Sequence, residues 1–323
     1  MSGCRHNPAP GPVRVDKDSQ RFSTDGQDQN MDANLDDALA AFQAVRGRLF
    51  GIAYRMLGSA SEAEDIVQDA WVRWQGTDRT VVQDPPAFLA TATTRLAINA
   101  LQSARAKRET YIGPWLPEPV DTSDDPTLGA ERAEALGFAV LVMLERLTPT
   151  ERAAYVLREA FAYPYEQICE IVQVSEAAAR QLVSRARKHL VDGRRREVPL
   201  AEQRRLLTAF LAAAKTGDLD ELEHLLSEDV VSYSDGGGVV RASKFPVFGR
   251  ERVAKFIRAF RSHFWEGVDV TESDTNGQAS VLLSKDGTTF AVLTVVAGDV
   301  GIEQVLWMMN PHKLGAVGLR AAG

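Results

Sequence analysis

The sequence is short of cysteine and has no long apolar run, and both shortages narrow what the chain can be. Its 323 residues include two cysteines, Cys4 and Cys169, in no C-x-x-C pair. Neither a disulfide framework nor a zinc knuckle is expected, and a reducing compartment, the cytoplasm, fits. No stretch approaches the roughly 18 apolar residues of a spanning helix; residues 291–300 are too few and include Asp299. Met1–Arg5 leads into no apolar segment, so no secretory signal is read. Basic charge is also in deficit, 37 Lys and Arg against 44 Asp and Glu. That total speaks against a polyanionic partner, but the local distribution does not. From Glu176 to Arg196 there are seven basic and two acidic residues, and a local basic face matters more for phosphate binding than the whole-chain sum.

The length implies two or three domains. Residues 1–31 are polar and Pro/Gly-rich and are expected to form a disordered tail. Residues 32–109 read as helices throughout. Leu35, Leu39, Phe42, Val45, Leu49 and Ile52 recur at helical spacing, and Ser59 with Glu62 makes a capping box for a second helix. In that helix Ala63, Ile66, Val67, Ala70, Trp71 and Trp74 form an apolar stripe, while Asp65, Asp69 and Arg73 share another face. Asp84–Pro85 starts a third helix running to about Arg108. Residues 110–130 hold four prolines and four acids without a period, a linker of restricted flexibility.

Residues 131–196 are helical again. Thr148–Pro149–Thr150–Glu151 caps one helix, Pro164 opens the next, and Ser175 caps a last one with Ala179, Leu182, Val183, Ala186 and Leu190 inward. Two short helices joined by a tight turn, the second basic, suggest a helix-turn-helix. After Pro199 two helices, a strand, a further helix and four strands imply an α+β domain over 199–323, with helices on a curved antiparallel sheet.

On these residues a resemblance becomes specific. Residues 48–74, RLFGIAYRMLGSASEAEDIVQDAWVRW, resemble region 2 of the bacterial extracytoplasmic-function (ECF) sigma factors. Residues 147–190 resemble their region 4. Residues 115–119 (WLPEP), 235–238 (DGGG) and 310–314 (NPHKL) are similar to the subgroup with a fused SnoaL-like C-terminal domain. The resemblance implies an alternative sigma factor that binds core RNA polymerase at the β′ clamp helices and β flap, and recognises promoter DNA. Asp65, Gln68, Asp69 and Arg73 would grip the clamp helices. Arg95, Asn99, Arg105, Lys107 and Arg108 would capture the melted −10 strand, and Arg180, Gln181, Ser184, Arg185, Arg187 and Lys188 would read the −35 element. At Arg95 the family usually has Asn, and at Asn99 usually Asp. Gln173 stands where the helix-turn-helix usually has Gly.

The third domain is expected to regulate in cis, through Trp115, Leu116, Pro117, Glu118 and Pro119 of the linker, Asp235, Gly236, Gly237 and Gly238, and Asn310, Pro311, His312, Lys313 and Leu314. An aromatic between proline-stiffened segments seeks cover: Trp115 docks on the C-terminal domain or simply on a helical module. A small-molecule ligand in the C-terminal cavity is a further expectation; cofactors and metals are not expected, nor is catalysis. A cyclase-like reaction would need Asp235 paired with His224, His263 or His312 beside Tyr233, Trp265 or Trp307, and no spacing fixes such a pair. The competing class is a ligand-responsive helix-turn-helix regulator working without polymerase, which leaves residues 48–74 unexplained. Neutralising a phosphate contact such as Lys188 should lower the salt slope of promoter binding by about one, whereas Arg185→Ala should cost about 1–3 kcal/mol at one base position, measured by titration across salt and site variants.

Overall fold

The computed structural model describes residues 24–122, 137–191, 198–315 and 317; for 24–34, 104–109, 138, 139 and 191 only the backbone is considered. Three helices come first, α1 (Thr24–Leu57), α2 (Ala60–Gln75) and α3 (Pro85–Glu109). The expected stripe of α2 is buried at Ala63, Ile66, Val67, Ala70 and Trp74. Burying Trp74 leaves no orphaned donor, because its indole N–H bonds the Ala38 carbonyl at 3.0 Å. Asp84 caps α3 by accepting from the Ala87 amide at 3.0 Å. Two expectations need correction. Helix α1 starts at Thr24 rather than near Asp32, so part of the expected tail is helical. Leu35 and Leu39 lie on its outer side, exposed, while Ala38 and Phe42 are buried.

The second module is α4 (Phe138–Leu144), α5 (Pro149–Glu159), α6 (Tyr165–Val172) and α7 (Glu176–Val191). The Thr148/Glu151 capping box forms in both directions, with Pro149 in the first turn. Gln173 ends α6 in the left-handed region, φ 58°, where the glycine it replaces would sit without strain. Ser175 caps α7 through the Ala178 amide at 3.2 Å.

The two helical modules are not independent. One apolar cluster runs from Ala38 and Leu49 through Leu89 to Leu144, Val156 and Leu190. Arg152, 2% exposed, crosses between them, donating to the Met56 carbonyl and to Glu145, each at 2.7 Å. Arg55 lies over the Phe161 ring at 4.9 Å.

The C-terminal part begins with α8 (Leu200–Thr216) and α9 (Leu219–Leu225), then β1 (Leu226–Asp235) and β2 (Val247–Phe248). Next come α10 (Arg250–Ala259), α11 (Arg261–Phe264), β3 (Asp269–Thr275), β4 (Gln278–Lys285), β5 (Thr288–Gly298) and β6 (Gly301–Met308). The sheet order is β2-β1-β6-β5-β4-β3. All pairs are antiparallel except β1 with β6. The sheet is thus mixed, since the helices after β1 return the chain on the far side. Strand β5 is buried on both faces. Ala291, Leu293, Val295 and Ala297 meet the helix core around Phe210 and Val253. Val292 and Val296 turn the other way, into a cluster with Leu116 of the linker and Leu314, against which Val142 of α4 packs. The second sheet face is therefore covered by the rest of the chain. Arg152→Ala should lower stability by about 3 kcal/mol, because it removes the buried guanidinium that bonds the Met56 carbonyl and pairs with Glu145; urea unfolding of the full chain checks this.

Candidate functional site

Asp65, Gln68, Asp69 and Arg73 are exposed along one side of α2, with Val72 60% exposed among them. None of the four forms an ion pair among the described residues. The opposite face is fixed in the core, so they stand on a rigid support.

On α7, Arg180, Gln181, Ser184, Arg185, Arg187 and Lys188 are all exposed, and Leu182, Val183, Ala186 and Leu190 are buried beneath them. Arg180 pairs with Glu176 and lies 4.9 Å from the Tyr165 ring centre. Arg185 reaches Glu151 at 3.3 Å and Arg187 reaches Glu159 at 2.7 Å. Both partners of the Arg180–Glu176 pair are well exposed, so that pair is weak, whereas Glu151 and Glu159 are far more covered than their arginines.

Arg95 is only partly exposed. Its Nε and Nη2 donate to the carbonyls of Ile171 at 3.1 Å and Glu170 at 2.8 Å, near the C-terminal end of α6. A cation suits a helix C-terminus with its unsatisfied carbonyls. Asn99, one turn further along α3, is exposed. The side chains of Arg105, Lys107 and Arg108 lie outside the described residues.

The three segments expected to regulate meet at one buried carboxylate. Asp235 is 0% exposed. Its Oδ2 accepts from Lys313 Nζ at 2.8 Å and the Leu116 amide at 2.9 Å. Its Oδ1 accepts from the Tyr111 hydroxyl at 2.5 Å and the Gly237 amide at 3.0 Å. Lys313 also donates to the Leu116 carbonyl at 2.5 Å and lies 4.2 Å from the centre of the Trp115 ring. Asn310 donates to the Tyr111 oxygen at 2.8 Å. Burial, followed by the Asp235 charge, pushes the Tyr111 phenol well above its usual range, so it stays a donor. Gly237 has φ +61°, and a Cβ there would come within 2.4 Å of Asn310. At Gly236 a Cβ would meet the Val240 carbonyl at 2.6 Å, and at Gly238 Ile112. Leu116, Pro117, Pro119 and Leu314 are buried at this junction, while Pro311 and His312 remain exposed.

A second clamp holds the other end of the linker; sequence reasoning named its Glu118 but missed the partners Tyr54 and Asn276. Glu118 accepts from the Ala60 amide at 2.7 Å, the Ser61 amide at 3.1 Å and the Ser59 hydroxyl at 2.9 Å. Together with Ser59, which accepts from the Glu62 amide at 3.1 Å, it satisfies the first turn of α2. Tyr54 donates to the Glu118 carbonyl at 2.6 Å and accepts from Asn276 Nδ2 at 2.5 Å. Burial holds the Tyr54 phenol far above its usual range. Asn276, φ 56° at the β3–β4 hairpin tip, also pairs with Val120 through its amide at 2.9 Å and its Oδ1 at 3.0 Å. The only advance signal was the Asn276–Gly277 dipeptide, which marks a hairpin turn and nothing more.

Asp235 is engaged by Lys313, and His224, His263 and His312 are exposed and absent from its hydrogen bonds. The geometry assembles no acid–base pair from these candidates. No helix among the described residues is long and apolar enough to cross a membrane.

An exposed acidic helix face, a basic second helix of a helix-turn-helix and a strap between them define a two-module promoter-recognition protein. Residues 41–107 match sigma-70 region 2, and residues 138–190 match sigma-70 region 4. The chain is 41% identical over 239 residues to the ECF RNA polymerase sigma factor SigJ of Mycobacterium tuberculosis, covering 71% of this chain and 75% of that one. It is 35% identical over 288 residues to a probable ECF sigma factor, SigI, of the same species, covering 86% and 95%. The crystal structure of SigJ superposes with a TM-score of 0.71 at 34% identity, over 86% of this chain and 98% of that one. The chain belongs to the ECF RNA polymerase sigma factors. It therefore serves promoter recognition and transcription initiation with RNA polymerase.

Lys313→Met should undock the linker and lower the stability of the C-terminal part by about 3–5 kcal/mol, since Asp235 keeps its charge without a cation. Adding Asp235→Asn should recover much of that loss. Denaturant unfolding of the two variants makes the comparison.

Proposed function

We propose that the C-terminal domain is a cis-acting brake that keeps regions 2 and 4 folded together until polymerase and promoter separate them. The α2 face Asp65, Gln68, Asp69 and Arg73 binds the β′ clamp helices, region 4 meets the β flap, α7 reads −35 bases and phosphates, and the Arg95–Arg108 side of α3 takes the −10 strand. The domains divide as region 2 over 32–109, linker over 110–130, region 4 over 131–196 and the regulatory domain over 199–323. The protein makes and breaks no covalent bond itself, and it works in the cytoplasm beside polymerase.

The observation that carries this reading is Arg95. A side chain assigned to DNA is held by α6 carbonyls in region 4. The −10 and −35 elements are about 25 base pairs apart by their names, or about 85 Å of duplex at 3.4 Å per base pair. Modules that share one core cannot span that distance, so initiation requires them to part. The linker supports the closed state, because it is pinned to region 2 through Glu118 and to the sheet through Asp235 and Asn276. A few kcal/mol suffice to bias such an equilibrium.

Reconstituted transcription with core polymerase tests it, comparing the full chain, truncations before Pro199 and before Asn310, and Lys313→Met. Core-dependent, promoter-specific initiation is expected, rising severalfold when the Asn310–Leu314 segment or Lys313 is removed. Duplex binding without core-dependent initiation would favour a polymerase-independent regulator. Equal activity in every form would end the brake.

A further inference from the structure

The C-terminal domain has a cavity of about 190 Å³, open to solvent on one side, between α10, α11 and the ends of β1 and β6. Five of its walls are aromatic: Phe256, Phe260, Phe264, Trp265 and Trp307. Phe264 packs edge-on against Trp307 with ring centres 5.5 Å apart, which gives that wall a fixed shape. A cavity of roughly 150 Å³ lined by apolar groups accepts one benzene ring. The polar part of this lining is small. Arg241 is its sole charged residue, exposed at the solvent side, and no acid lines it. The indole N–H of Trp307 is buried without a hydrogen-bond partner among the described residues, so the wall holds a donor with no acceptor.

The same lining leads into the carboxylate junction. Ser234 lines the cavity, and the next residue is Asp235. Met309 lines it too; its amide donates to the Asp235 carbonyl at 2.8 Å, and its neighbour Asn310 holds Tyr111. Ala242 and Ser243 complete the contact. A Cβ on Gly236 would lie 2.8 Å from Ala242, and one on Gly113 of the linker 3.7 Å from the Ser243 carbonyl.

We propose that this cavity binds a small hydrophobic carboxylic acid, one ring or a short branched chain with its carboxylate toward Arg241, and that occupancy tightens the linker on Asp235. The proposal rests on the cis-regulatory reading only for its consequence in transcription. A ligand stabilises the conformation in which its site is built. Here that conformation includes the residues that hold the linker. Coupling is reciprocal, so the docked linker must in turn strengthen binding of the acid. Arg matches a carboxylate with two parallel donors, which separates an acid from its neutral amide.

Phenylacetate is the probe and phenylacetamide its uncharged counterpart, each titrated into the full chain by calorimetry, with the Trp307 indole resonance locating the site. Hydrogen exchange at the Leu116 amide reads the junction, and the amide of Val183, buried in the middle of α7, serves as reference. The expected result is saturable phenylacetate binding that shifts the Trp307 resonance. It should weaken at least fivefold for phenylacetamide and for Arg241→Gln, and severalfold for Lys313→Met. Leu116 exchange should slow severalfold relative to Val183. Absence of saturable binding, or equal binding of the amide, overturns the ligand class. Binding that leaves Leu116 exchange unchanged overturns the coupling. The truncation experiment needs no ligand, so the brake can stand if the cavity proposal fails, and phenylacetate binding can survive if the brake does not.

Discussion

A single carboxylate with no access to water organises the interdomain contacts of this protein. Asp235 accepts from four donors that come from three separate stretches of chain: Tyr111 and Leu116 in the linker, Gly237 beside it, and Lys313 near the C-terminus. A buried charge is costly unless its partners are complete, and any slip in register would leave this one short of a donor. Net stabilisation from such a cluster is small, and its value lies in specificity. It permits one seating of the linker on the sheet. The glycines follow from the same demand, since the Asp235–Gly238 turn must pass beside Asn310 and Ile112 without side chains of its own.

The linker so seated acts as a strap rather than a spacer. Its prolines keep it extended, Leu116 fills the apolar cluster on the outer sheet face, and Glu118 completes the first turn of α2. Region 2 thus owes part of a helix terminus to the linker, and the linker owes its path to the C-terminal domain. Regions 2 and 4, meanwhile, share a core and exchange Arg152 and Arg95. Each contact is individually modest. Together they make a closed arrangement that is cooperative, because releasing the strap exposes the sheet face, the α2 terminus and the linker apolar residues at once.

Local features of this fold were legible in the sequence. The Thr148 capping box, the Asp84 and Ser175 caps and the buried stripe of α2 are short-range patterns, and they appear where the residues imply. The WLPEP, DGGG and NPHKL segments were named from the family resemblance, and the chain brings all three together at Asp235. Features made by distant partners were not legible. Asn276 looks like any hairpin residue, yet it holds Tyr54 across 222 positions. Arg55 and Arg152 look like solvated charges, because nothing in their neighbourhood announces a buried carbonyl. The two-residue strand β2 is too short for a period, and the parallel β1–β6 pairing depends on how the intervening helices return the chain. Arg95 was assigned to DNA alone; its hold on α6 is a contact between modules and leaves no local trace.

A closed free chain must open regions 2 and 4 away from each other before it can work as a brake that is released. Spin labels at Gln75 on α2 and Gln167 on α6, both exposed, in a chain with its native cysteines replaced by serine, would report that separation by pulsed resonance. A single short distance is expected in the free chain, replaced by a long one in the complex with core polymerase and promoter DNA. The same short distance in the transcribing complex would contradict the account, because the closed arrangement would then be the working one.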